Sequence, residues 1–235
     1  DDVSLTCSLT SSDKVLQLLM ASDALDNLFS RKKLLIIPYL LGARYDRLML
    51  PGDSIDIKVM AKLINSCGFD KVILFDVHSD ASSLLINHAV NISNKKLVEK
   101  YNKERAVLIC PDAGAAKKMQ KYLEWNTHFT DIVYCSKNRN LATGKLTLEV
   151  LEPEQCAGRN CVIVDDICDG GGTFLAIAEQ IKPADLTLIV SHGIFSKGYA
   201  ALEQKFDSIL VSSSYGKKYG SNLIQTFDVE GLLKP

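Results

Sequence analysis

The chain has 235 residues, and 47% of them are apolar, enough for one sizeable core or two small ones. Its 27 basic and 28 acidic residues leave a formal charge of −1, which gives no support for nucleic-acid or membrane-surface binding, and no apolar run is long enough to span a bilayer. No secretory signal is visible at the start, and seven scattered cysteines without a CxxC pair read as reduced structural thiols in the cytoplasm and argue against a zinc site.

Val3 to Cys7 reads as strand material, so the chain starts abruptly, as though residues upstream of Asp1 were missing. Ser12 or Asp13 is placed to cap a helix whose apolar face is Val15, Leu18, Leu19, Leu25 and Leu28. Lys33 to Pro38 is a strand. Ser54 to Ser66 is a second amphipathic helix, with Ile57, Met60, Ala61 and Ile64 on one face and Gly68 after its end. Lys71 to Phe75 is a strand that delivers Asp76 and His78. Residues near Val90 to Asn94 read as a crossover into a second unit.

In that unit Ala106 to Cys110 is a strand, Ala113 to Leu123 a helix and Asp131 to Cys135 a strand. Ser136 to Asn140 then reads as a polar loop leading into Ala142-Thr143-Gly144-Lys145. Further strands are expected at Leu146 to Leu151, Cys161 to Val164, Asp185 to Val190 and Ser208 to Val211. Alternating strands and helices predict an α/β fold of two tandem domains, 1–91 and 92–235, with mainly parallel sheets covered by helices on both faces.

The segment from Cys161 to Thr173 concentrates the chemistry. An apolar run ends in Asp165 and Asp166 and enters a turn through Asp169, Gly170, Gly171 and Gly172. It leaves through Thr173 into a helical pattern. Glycines let backbone N–H groups converge on an anion, and a helix start adds positive potential. Paired carboxylates suit ribose hydroxyls or a Mg2+ ion. A sugar phosphate satisfies all of these. Without a ligand the stretch is a tight turn with a solvated acidic rim, a costly use of adjacent acids and three glycines.

Ligands of parallel sheets bind beyond the carboxyl ends of the strands. His78, Asp112, the Asp165–Asp166 pair and His192 all fall at such ends in this reading. Asp112 is also placed to cap the helix after it. Arg44 and Arg47 flank Asp46 after a strand, either as a surface ion-pair cluster or as a phosphate-binding pair. His88 and His128 fit no motif.

The Asp165–Thr173 stretch resembles the phosphoribosyl-diphosphate motif of the type I phosphoribosyltransferase fold. Pro38-Tyr39 with Ala43 to Arg47, Phe75 to His78, Cys110 to Gly114 and Ser191 to Ser196 accompany it in one order. Together they resemble the ribose-phosphate diphosphokinase (phosphoribosyl pyrophosphate synthetase) family from about Val3 to Leu233. The resemblance implies two phosphoribosyltransferase-like domains, with the ATP side first and the ribose-phosphate loop second. It implies a pyrophosphokinase that moves the β,γ-diphosphoryl group of ATP to the anomeric hydroxyl of ribose 5-phosphate. It further implies a Mg2+ cofactor held through His78 and Asp112, ATP contacts from Arg44, Tyr45, Asp46 and Arg47, and catalytic roles for Lys137 and Arg139 on a closing loop. Asp165 and Asp166 would hold the ribose, and Asp169, Gly170, Gly171, Gly172 and Thr173 the phosphate on C5.

By the same resemblance the protein is cytoplasmic (host cytoplasm if phage-encoded), a homo-oligomer, dimer or hexamer, with no nucleic-acid or membrane partner. The family's adenine-binding aromatic and acidic residues lie upstream and have no counterpart here. Tyr45 replaces a common glutamine, and Gly170 replaces the first threonine of the phosphate loop, removing a hydroxyl donor and adding room. Two alternatives follow: the same chemistry on ADP-ribose, as in phage NAD-rebuilding relatives, and a non-catalytic synthetase-associated subunit.

Overall fold

The computed structural model describes residues 2–28, 32–139 and 146–233, so the expected loop segment Ala142–Lys145 lies outside the described residues. The chain divides into two compact units, one running to Ser93 and taking in 214–216 and Leu233, the other comprising Asn94–Ser213 and 217–232. No helix of the described residues is long and apolar enough to cross a membrane.

In the first unit β1 (Val3–Thr6), β2 (Lys33–Ile37), β3 (Lys71–Phe75) and β4 (Ala89–Ile92) pair in that order, all parallel. The segment expected as a crossover is therefore the sheet's fourth strand. As an edge strand with half its residues exposed, it has little apolar pattern to show. α1 (Ser12–Asp26), α2 (Asp56–Ser66) and α3 (Asp80–Leu85) make the connections.

The cap of α1 is Ser11, one residue before the expected position: its backbone is extended and its Oγ accepts the Lys14 N–H at 3.4 Å. The buried face of α1 is Val15, Leu18 and Ser22, whereas Leu28 lies past the helix end and is exposed. Ser22 is tolerated there because its hydroxyl donates to the Cys67 carbonyl at 3.0 Å. α2 buries Ile57, Met60, Ala61 and Ile64 as its spacing predicts, and Gly68 follows it with φ +62°.

These side chains share one core with Leu35 and Ile37 of β2 and Val72 and Leu74 of β3. Residues two apart in a strand share a face, so α1 and α2 cover the same face of this sheet. A strand order that never reverses, with right-handed crossovers, requires that. Helices on both faces were expected; here Leu34, Ile36 and Ile73, on the other face, are only half-buried.

The second unit contains α4 (Lys95–Val98), β5 (Ala106–Cys110), α5 (Ala116–Trp125), β6 (Phe129–Arg139), β7 (Leu146–Val150), β8 (Asn160–Cys168), α6 (Gly172–Ala178), β9 (Asp185–Gly193), α7 (Ala200–Glu203), β10 (Ser208–Ser212) and β11 (Ile224–Phe227). The chain's last helix is α8 (Val229–Leu233). The sheet order is β11-β10-β9-β8-β5-β6-β7, parallel except for β6 with β7. The order reverses between β5 and β8, which sets their carboxyl ends side by side at a topological switch point.

Strands β8 and β9, like β6, outrun their expected ends. β8 and β9 continue to Cys168 and Gly193, paired Asp165↔Val190, Ile167↔His192 and Cys168↔Gly193. Their outer neighbours stop earlier, at Ile109↔Ile163 and Val190↔Val211. A two-stranded extension thus projects beyond the sheet, with Gly193 near its tip. A Cβ on Gly193 would lie 2.5 Å from Phe195 Cε2, 2.8 Å from Val211 Cγ2 and 2.9 Å from Tyr219 Oη. Gly193→Ala is expected to cost about 1–3 kcal/mol through overpacking, read as a lowered Tm; an unchanged Tm would contradict this packing.

Candidate functional site

Each unit carries its own cluster at the carboxyl ends of its strands. In the first, the loop after β2 brings Arg44 to Arg47 toward the turn that follows β3. Arg47 grips Asp46 with two hydrogen bonds, Nε to Oδ1 at 2.7 Å and an Nη to Oδ2 at 3.1 Å. The Arg47 hydrogen bond is the main reason the Asp46 carboxyl titrates below its ordinary value; Ser79 and the charge of His78 act in the same direction against partial burial. The structure therefore brings Asp46, Arg47, His78 and Ser79 together. The adjacent ion pair is the bland alternative made real, yet Arg47 stays largely exposed, with donors left for another anion. Tyr45 is 63% exposed, and Asp76 enters the turn at φ +39°. Ser79 went unnoticed in the sequence, although it sits beside His78 at the N-cap of α3.

In the second unit the switch point assembles the acids. Asp112 follows β5, and its extended backbone lets Oδ1 accept the Ala115 N–H at 3.1 Å, so the capping role is present. Gly114 leaves that carboxylate room: a Cβ there would stand 3.2 Å from Asp112 Oδ1. Asp165 and Asp166 lie within the β8 extension, not after a strand end, and the Asp166 N–H donates to Asp165 Oδ1 at 2.8 Å.

Burial, then the neighbouring Asp166 charge and a hydrogen bond between the two carboxyls, push Asp165 well above the usual aspartate range, with Asp112 adding to the effect. Two carboxyls this close share a proton and titrate as a pair. Groups that donate to both, such as vicinal hydroxyls, can replace that proton.

The turn after β8 is anchored from the β9 side. Ile194 and Phe195 donate to the Cys168 carbonyl at 2.9 and 3.1 Å, and Ser196 donates to that of Asp169 at 3.1 Å. Gly171 caps α6 in the left-handed region, φ +76°, where a Cβ would also come within 3.2 Å of Leu202 Cδ2. Among the described residues the backbone N–H groups of Gly170, Gly171, Gly172 and Thr173 meet no hydrogen-bond acceptor. The expected helix contribution is small, because α6 has only seven residues. The turn itself supplies the donors.

Lys137 and Arg139 fall on β6, which pairs antiparallel with β7 through Cys135↔Val150, Lys137↔Leu148 and Arg139↔Leu146. They were expected in a loop, but the antiparallel partner extends the strand through them. Beside this arm a cleft of about 710 Å³ opens between Asp112 and Gly114 on one side and Tyr134, Ser136 and Leu151 on the other. That is the size range of small-molecule sites. Tyr134 was not singled out in the sequence and Ser136 only as the start of a polar loop, since nothing local marks a strand residue as lining a cleft.

All seven cysteines are free. Burial pushes Cys110 up to about 11 and Cys135 and Cys168 up to about 12. These thiols near the site stay protonated at neutral pH and are poor nucleophiles.

Residues 80–216 match the family model of the phosphoribosyl transferase domain, and residues 1–68 that of the N-terminal domain of ribose phosphate pyrophosphokinase. A ribose-phosphate pyrophosphokinase of Mycoplasma genitalium is 28% identical over 94% of this chain and 69% of its own length. That of Hyphomonas neptunium is 29% identical over 86% of this chain and 66% of its own. The chain thus spans about two thirds of the curated relatives it matches. The crystal structure of phosphoribosylpyrophosphate synthetase from Mycobacterium smegmatis superposes with a TM-score of 0.83 over 99% of this chain and 79% of that one, at 19% identity, a likeness of fold.

Proposed function

Since the chain belongs to the phosphoribosyl transferase domain family and carries ahead of that domain the N-terminal domain of ribose phosphate pyrophosphokinases, we propose that it transfers the β,γ-diphosphoryl group of ATP to the anomeric hydroxyl of ribose 5-phosphate. The observation that carries this reading is a turn with four N–H donors unpartnered among the described residues, entered from a strand that carries the proton-sharing pair Asp165–Asp166. A sugar phosphate needs both parts, an anion cradle and paired acceptors for vicinal hydroxyls.

In this reading Asp169 to Thr173 hold the phosphate on C5, and Asp165 and Asp166 accept from the ribose hydroxyls. The anomeric oxygen attacks the β-phosphorus of ATP, the bond to the α-phosphate oxygen breaks, and AMP leaves while the hydroxyl proton passes to solvent. Lys137, Arg139 and Arg44 neutralise charge on the transferring group, and alignment supplies much of the remaining acceleration. No thiol takes part.

A Mg2+ ion fits the donors present. Among the described residues no three His, Cys, Asp or Glu side chains converge into a protein cage. Mg2+ does not need one, since it keeps waters and binds through one or two carboxylates plus substrate phosphates. Asp112, one oxygen already held by Ala115 N–H, is the ligand proposed in the second unit, and His78 the ligand proposed in the first. When bound, the ion would offset charge on the phosphates. The site's placement is cytoplasmic and the assembly a homo-oligomer in this proposal.

A second reading keeps the chemistry and changes the acceptor to ADP-ribose. The absence of a hydroxyl branch at Gly170 raises this reading, although the Lys197 stem lies over that glycine. Incubating the protein with Mg-ATP and either acceptor separates the two. AMP together with a diphosphate adduct of ribose 5-phosphate is the expected result. An adduct of ADP-ribose alone would shift the acceptor, and no AMP with either would overturn the catalytic reading.

A further inference from the structure

The room opened by Gly170 is not empty. A Cβ built there would touch Lys197 Cδ and Cε, each at 3.4 Å, and Cγ at 3.7 Å. The lysine stem therefore runs across the glycine of the phosphate turn, and its ammonium lies one bond beyond Cε. Lys197 is exposed, and among the described residues nothing pairs with its ammonium. A Cβ at 170 would make ordinary van der Waals contact with this stem, and only a side chain branched beyond Cβ, such as threonine, would compete with it for volume.

The loop that carries Lys197 is held in place. Ser196 N–H donates to Asp169 O, Lys217 Nζ to Ile194 O at 2.6 Å, and Tyr219 Oη to Gly193 O at 2.6 Å. Phe195, at φ +44°, packs edge-on against Tyr219 with ring centroids 5.2 Å apart. A cation on a pinned loop, beside orphaned N–H donors, is pre-organised for an anion.

We infer that Lys197 is a binding and specificity residue for the phosphate on the acceptor's C5, supplying by charge the side-chain contact that Gly170 lacks. This rests on the turn being the phosphate cradle of the proposed reaction. A point charge grips a phosphate without the directional demand of a hydroxyl. Recognition at this turn should accordingly weaken with salt.

The test uses the full chain and ribose 5-phosphate as probe, by calorimetric binding and by AMP release from Mg-ATP. Lys197→Met, which keeps the stem, is expected to weaken ribose 5-phosphate binding and raise its KM about tenfold with little change in kcat. It should also flatten the salt dependence, and Lys197→Arg should restore most of the affinity. In the parent chain Gly170→Thr should weaken binding by displacing the stem, whereas in Lys197→Ala the same threonine should recover affinity. Equal affinity of parent and Lys197→Met at low salt, or no difference in what Gly170→Thr does in the two backgrounds, overturns the role. Failure of the parent to bind the sugar phosphate overturns this inference together with the acceptor assignment. Binding that depends on Lys197 without AMP release upholds it and overturns only the reaction.

Discussion

Lys137→Ala and Arg139→Ala are each expected to lower kcat about a hundredfold to a thousandfold while moving KM for either substrate only a few-fold. Removing one preorganised charge-stabilising donor from a transition state has that scale of effect. The two stand two residues apart in one strand, Lys137 opposite Leu148 and Arg139 opposite Leu146. Asn138, between them, pairs opposite Thr147. Asn138→Ala is the internal control and should stay within a few-fold of the parent. Because neighbouring charges on one transferring group act as a unit, the double variant should lose less than the product of the single losses. Steady-state rates of AMP formation decide it. A large loss in Asn138→Ala with none in Lys137→Ala would overturn the proposed roles of Lys137 and Arg139.

The central strands were legible because a parallel strand buried on both faces is a plain apolar run, as in Cys161–Val164 and Leu186–Val190. The same rule hid their continuations. Asp165, Asp166, Ser191 and His192 carry no apolar signal, and they remain extended only because β8 and β9 pair with each other past the sheet. β4 and β11 are short edge strands with exposed residues, weak in any periodic pattern.

At the site, residue types and chain order pointed to the turn, the acids and the histidine. The Asp46–Arg47 pair is a contact of chain neighbours that the sequence could offer, whereas His78 and Ser79 beside Asp46, and Lys197 lying across Gly170, are tertiary facts with no local signature. The vacancy read into Gly170 was a statement about one position. What fills it comes from a loop 27 residues onward.

Asp165→Asn should make the protein more stable at neutral pH while lowering kcat/KM for the sugar phosphate tenfold to a hundredfold, the scale of a lost charged hydrogen bond. The stability gain follows from the direction of the Asp165 shift. Burial and the Asp166 charge raise this carboxyl, so the native state holds its proton more tightly than the unfolded chain does. Between the ordinary aspartate range near ~4 and the raised native value, the native state thus binds more protons, and stability falls as pH rises through that window. Asparagine carries no charge at any of these pH values and can still donate to Asp166. The variant should therefore lose the decline, gaining at pH 8 a few degrees of Tm, about what 1 kcal/mol gives a chain of this size. Below the ordinary aspartate range the two proteins should melt alike. Thermal unfolding from acid to pH 8 reads this directly. A parent curve that rises across the window, or a variant less stable at pH 8, would mean that the pair is relieved by some other contact. The ground-state strain assigned to Asp165 would then be absent. If the gain appears together with the loss in kcat/KM, the cost of holding two carboxyls together without a ligand is measured in the same protein as their proposed binding role, the usual exchange of stability for function at a binding site.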